Sequence, residues 1–215
     1  MHAATAKLYS VSLTSWFAEA VPFSEASVPA LAKKILLRFR GYGLRPTEII
    51  QREGDRLFDY DLTFALFNRN GTFRLTSEGG HASFQNAKDS NDANLISDCL
   101  SGVSETLSER RMREHRLEAF VHVSLPSVAE RDGFLASLGP TDRKLPVVGC
   151  ILNFPPIGSF GEGRFVLDRS LMFPDAVFLN WSIQFAKSPG KEIFAEATET
   201  FRKLSSEMGL EFPKS

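Results

Sequence analysis

In "FDYDLTFAL" the residues Asp59, Asp61 and Thr63 recur at every second position, with Phe58, Tyr60, Leu62 and Phe64 between them. Alternation of this kind predicts a half-buried strand, so the two carboxylates and the hydroxyl share one face, with the carboxylates within ~7 Å of each other. Carboxylates that close can hold a hard cation or raise one another's pKa. The glycine and regular oxygen spacing of a calcium loop are missing, so they are read as part of a polar binding face, with no metal or cofactor expected.

The same alternation adds Ser10, Ser12, Thr14 and Trp16 from the first strand to this face. It adds Glu118, Phe120, His122 and Ser124 from "EAFVHVSL", then Asp168 and Ser170, then Asn180, Ser182 and Gln184. The candidate ligand contacts are Asp59, Asp61, Thr63, His122, Asn180, Gln184 and Trp16. The plainer reading is a sheet face that is polar because water covers it.

"SERRMREHRLE" puts Arg110, Arg111, Arg113 and Arg116 at the expected end of a long helix, where cations complement the helix dipole. A solvated helix end is the ordinary reading. The sharper one makes Arg110, Arg111 and Arg113 a patch for an anion or an acidic partner. In "FPPIGSFGEG", residues 154–163, glycines stand at 158, 161 and 163, but the Lys-Ser/Thr of a phosphate loop is missing and a strand follows. Nucleotide binding by that loop is rejected. It is read as a wide strand connection or as an aromatic-tipped lid or partner loop.

His2, His81, His115 and His122 show no metal-binding spacing, and neither a GxSxG turn nor a catalytic-cysteine context occurs. No catalytic residue is therefore named. Cys99 and Cys150 sit among apolar neighbours and read as free buried thiols. With 25 basic and 26 acidic residues the formal net charge is -1, too little field to gather a polyanion, so no nucleic-acid partner is expected. The chain has no run near the ~20 apolar residues needed to span a bilayer and no recognisable signal peptide, so it reads as cytoplasmic, with no membrane partner.

The elements that must position these residues follow in order. A strand over 7–17 leads to a helix over 25–40, extended chain over 44–52 and the strand 56–68. The Asn70-Gly71 hairpin returning over 72–76, a turn at "EGGH" and a short strand "HASFQNA" precede a long helix over 91–112. The second half offers a strand at "RLEAFVHVSL" and a short helix opened by Ser127 and Glu130 at capping-box spacing. Strands over 145–153, 164–173 and 176–186 follow, then a helix from Ser188-Pro189 to Met208, stopped by Gly209.

The predicted fold is α+β, an antiparallel sheet with helices packed on one face and an internal duplication of a β-α-β-β-β-α unit. The halves are 1–115 and 116–215 within a single pseudo-twofold unit. Matching apolar stripes run along the two long helices, Ala93, Ile96, Leu100, Val103 and Leu107 in one, Phe194, Ala197, Phe201, Leu204 and Met208 in the other. The expected function is a non-catalytic binding or protein-interaction protein that meets an unknown small molecule or protein through the polar sheet face and the 154–163 loop. The alternative is a small enzyme acting on a polar metabolite in a cleft between the halves. A homodimer pairing its sheet faces is a third reading, recognisable by a self-complementary apolar patch.

Overall fold

The computed structural model describes residues 2–22, 27–42, 44–46, 49–53, 58–66, 70–87, 90–107, 112–139, 149–187 and 189–212. The first unit comprises β1 (His2–Ala3), β2 (Thr5–Phe17), α1 (Ser27–Phe39), β3 (Ile49–Glu53), β4 (Tyr60–Leu66), β5 (Gly71–Thr76), β6 (Gly79–Ala87) and α2 (Ser90–Leu107). The second comprises β7 (Met112–Ser124), α3 (Val128–Ser137), β8 (Gly149–Phe154), β9 (Gly163–Arg169), β10 (Ala176–Phe185), α4 (Lys191–Glu207) and β11 (Leu210–Glu211).

Nine strands form one antiparallel sheet in the order β3-β4-β5-β6-β2-β7-β10-β9-β8 among the described residues. Its centre is the antiparallel pair β2 and β7, thirteen-residue strands that are the first long strands of the two units. Reading outward from this pair, β6, β5, β4 and β3 follow on one side and β10, β9 and β8 on the other, so each side runs back through the chain and the first has one strand more. A separate parallel pair, β1 with β11, ties the start of the chain to the residues after α4.

Strand alternation divides the sheet. In β4, Tyr60, Leu62, Phe64 and Leu66 are buried while Asp61, Thr63 and Ala65 are half-buried; in β7, Leu117, Ala119, Val121 and Val123 are buried between half-buried Arg116, Glu118, Phe120 and His122. The buried rows join Ile35 and Phe39 of α1, Leu100 and Val103 of α2, Phe134 of α3 and Ala197 of α4 in one core. The helices thus lie on one face, the fold being α+β, because each apolar stripe needs that surface and each buried leucine or phenylalanine is worth about 1.5–3 kcal/mol.

Several boundaries differ from expectation for local reasons. β4 begins at Tyr60, where pairing with Glu53 starts and the phenol donates to the Val21 carbonyl at 3.0 Å; Phe58 and Asp59 precede the strand, and Phe58 is 46 % exposed. The turn before β6 shrinks to Ser77 and Glu78, so the strand starts at Gly79, two residues before the expected start at His81. Gly79 permits this, since a Cβ there would stand 2.0 Å from the Ser15 carbonyl oxygen.

The largest correction is at Met112, which opens β7 instead of closing α2, because Phe17 of β2 offers it a ladder partner. The 115/116 boundary between halves therefore falls inside a strand. β9 ends at Arg169, where the Ser170 hydroxyl accepts from the amides of Met172 and Phe173 and curls the chain into a turn. Gly190 is the N-cap of α4, without a side-chain cap, so Pro189 lies ahead of the helix; Ser188 is outside the described residues. Other expectations agree. The Ser127 hydroxyl accepts from the Glu130 amide at 3.1 Å, and Gly209, at φ 89°, ends α4.

Candidate functional site

The face without helices is a grid whose rows are fixed by strand register. One row crosses six strands: Thr63 stands opposite Arg74, Arg74 opposite His81, His81 opposite Thr14, Thr14 opposite Arg116, and Arg116 opposite Gln184. Asp61 and Trp16 lie one row further along. Four of the predicted contacts, Asp61, Thr63, Trp16 and Gln184, therefore belong to one strip spanning both units.

Within the strip the polar groups hold one another. Arg74 Nε donates to Asp61 Oδ2 at 2.8 Å and the Thr63 hydroxyl to Asp61 Oδ1 at 3.0 Å. Both carboxylate oxygens are thus engaged, which leaves Asp61 poorly disposed to take a cation. The Arg116 guanidinium carbon lies 5.2 Å from the centre of the Trp16 ring, a cation–π contact. His81 Nδ1 is 2.9 Å from the Thr14 hydroxyl. Burial lowers the His81 pKa, the nearby Glu118 carboxylate raises it and Arg74 adds to the lowering. The strip therefore presents arginine cations, a neutral imidazole, hydroxyls and an amide at neutral pH.

Asp59 is exposed beyond the strip and borders a broad open cavity of about 620 Å³ with Arg52, Asp61, Arg74 and Glu78. The cavity lies at the first unit's end of the bare face and reaches neither His122 nor Asn180.

His122 and Asn180 form a second group on β7 and β10. His122 Nδ1 is 2.9 Å from the Ser170 hydroxyl, and the ring packs on Phe178 and Phe173 at centroid distances of 5.2 and 5.5 Å. Burial lowers its pKa. Asn180 stands between Phe120 and Val166, with its Oδ1 buried and unpartnered among the described residues.

The other two candidates are rearranged. Arg113 lies on β7, exposed, 3.3 Å from the carboxylate of Glu114, and so is not at a helix end; Arg110 and Arg111 are outside the described residues. The 154–163 loop turns its aromatics inward: Phe154 and Phe160 are buried, Phe160 edge-on to Phe185 at 5.9 Å. Its tip is pinned to the helix layer, the Ser159 amide donating to Glu196 Oε1 at 2.7 Å and Lys187 Nζ to the Ser159 hydroxyl at 2.8 Å. Hydrogen bonding from the Ser159 amide and then from its side chain lowers the Glu196 pKa. The aromatic side chains of the loop are not free to act as a lid.

Arg74, His81 and Arg116 are the strip residues that sequence reasoning missed. Alternation in "GTFRLT" already places Arg74 with Thr72 and Thr76, while His81 stands where the "EGGH" turn meets the strand "HASFQNA", and Arg116 where the expected helix end meets the strand "RLEAFVHVSL". Among the described residues no cluster of three or more histidine, cysteine, aspartate or glutamate side chains is arranged to hold a metal. No known protein family matches this chain, and no curated protein matches it.

Proposed function

We propose that the protein is a non-catalytic binding or interaction protein whose ligand or partner lies across the polar strip of the bare sheet face. The observation that carries this reading is the uninterrupted cross-strand row from Thr63 to Gln184, with the Asp61–Arg74 pair and the Trp16–Arg116 stack beside it. Such a surface suits a planar or anionic polar group, which arginine meets through a fork of donors and tryptophan through its face. The cavity beside it is open, which favours a bound surface over an enclosed reaction chamber. The unit boundary carries paired strands, β2 on β7, where a catalytic cleft between halves would have to open. The 154–163 loop enters the proposal as a fixed element of the helix side. The strand order supports the duplication of one β-α-β-β-β-α unit. A cytoplasmic location, supported by two free cysteines, is part of the same proposal.

Native mass spectrometry of the protein as purified, compared with Arg74→Ala, Arg116→Ala and Asp61→Asn, tests the reading. A bound species retained by the unaltered chain and lost from the variants, with unfolding midpoints nearly unchanged, is the expected result. A species retained equally by all three variants places binding elsewhere and overturns it.

A further inference from the structure

Across β8, β9, β10 and β7 the bare face carries a mostly apolar row, Ile151, Val166, Asn180 and Phe120, each directly opposite the next. Ile151 is 62 % exposed. Two residues to one side, ~7 Å along the strands, stand Arg164 on β9 and Glu118 on β7. Two residues to the other side stand Asp168 on β9 and His122 on β7. The flanks of the row thus carry complementary groups at matched positions.

A twofold axis laid along this row, between two sheets stacked face to face, exchanges the flanks. Arg164 of one copy then lies over Asp168 of the other, Glu118 lies over His122, and each residue of the row meets its own counterpart. At the ~10 Å spacing of packed sheets these side chains reach one another. We propose that the second unit's bare face is the interface of a homodimer, its occupant a second copy of this chain. The charge pattern selects that occupant, because an arrangement complementary to itself under a twofold has a special meaning only for a copy of itself.

The charged pair that the twofold brings together, Arg164 and Asp168, is free to meet a partner, while His122 already holds the Ser170 hydroxyl. The Arg164 side chain makes no ion pair or hydrogen bond among the described residues, and the only bond of the Asp168 side chain among them is from the Arg169 amide at 2.7 Å. The turn after β9 rims the patch with Leu171, fully exposed, and Met172. In the first unit, Thr72 of β5 shares the row of Ser83, Ser12 and Glu118, and β5 starts one residue earlier, at Gly71. The Asp61–Arg74 end of the face therefore lies to one side of the axis and stays open in the dimer, whereas Arg116 and Gln184, two residues beyond Glu118 and Ser182, lie at the border of the interface.

Sedimentation equilibrium on the full chain over a micromolar-to-millimolar range tests the proposal. The unaltered chain should dimerise. Arg164→Asp and Asp168→Arg, each setting like charges face to face at two symmetry-related places, should each raise the dissociation constant by about tenfold or more, and the double variant should recover the dimer. Raised salt should weaken the unaltered dimer, a second measure that needs no variant. A chain that stays monomeric throughout, single variants that dimerise as before, or a double variant that fails to recover would each overturn it. Sedimentation reads association alone and mass spectrometry reads a bound species alone, so the two proposals fail separately.

Discussion

Ser15 and His115 face one another across the central strand pair, the serine hydroxyl 2.7 Å from His115 Nδ1, both side chains buried on the helix side of the sheet. The distance is that of a nucleophile and its base, but the pair is sealed in the core: His115 is 1 % exposed and its ring stacks on Phe185 at 5.1 Å. Its Nε2 is buried with no partner among the described residues. Substrate has no access, so the pair is structural, and its chemistry is read in stability.

Burial lowers the pKa of His115 from 6.5 to about 4. Between these values the unfolded chain binds the proton and the folded chain does not, so stability is full above pH 6.5 and falls as the pH drops toward 4. Urea unfolding at pH 7 and pH 4.5 should show a loss from this group of about 2 kcal/mol. His115→Leu should flatten that part of the pH profile; an unchanged slope counts against the assignment.

Leu100 is buried at the centre of the α2 stripe, and Phe201 is half-buried among Trp181, Phe212 and Phe165 at 5.4, 5.8 and 6.0 Å. Leu100→Ala should cost about 2–5 kcal/mol and Phe201→Ala, with its ring partly open to water, about 2 kcal/mol. Chemical denaturation measures both. A loss below about 1 kcal/mol at Leu100 would mean that α2 does not pack as described.

Gly79 sits where any side chain would strike β2. With a Cβ 2.0 Å from the Ser15 carbonyl oxygen, Gly79→Ala must push the strands apart or shift the turn, and should destabilise by about 2 kcal/mol or more. Gly41→Ala, where a Cβ would meet nothing within 4 Å, is the control for glycine replacement as such. The two melting curves should separate clearly.

The thiols should differ in reactivity. Burial pushes Cys99 up to about 12, and also raises half-buried Cys150. At pH 8 an aromatic disulfide reagent should modify Cys150 slowly in the folded protein and Cys99 only after denaturant is added. Two fast thiols in the folded state would contradict the burial of α2.

Period-two alternation by itself determines the two faces of the sheet, because one slip would bury Asp61 and expose Phe64. The stripes of α2 and α4 were legible for the same reason: Ile96, Leu100, Val103 and Ala197 are core residues because only that side of each helix can shed water. What the sequence could not determine was which strands stand side by side. Ladder register is set by residues far apart in the chain, and it alone brings Arg74, His81, Thr14 and Arg116 into one row. The end of α2 is decided in the same way. Local propensity allows a helix through Met112 and Arg113, but hydrogen bonds and packing along the whole of β2 outweigh it, and the segment becomes the strand at the centre of the sheet.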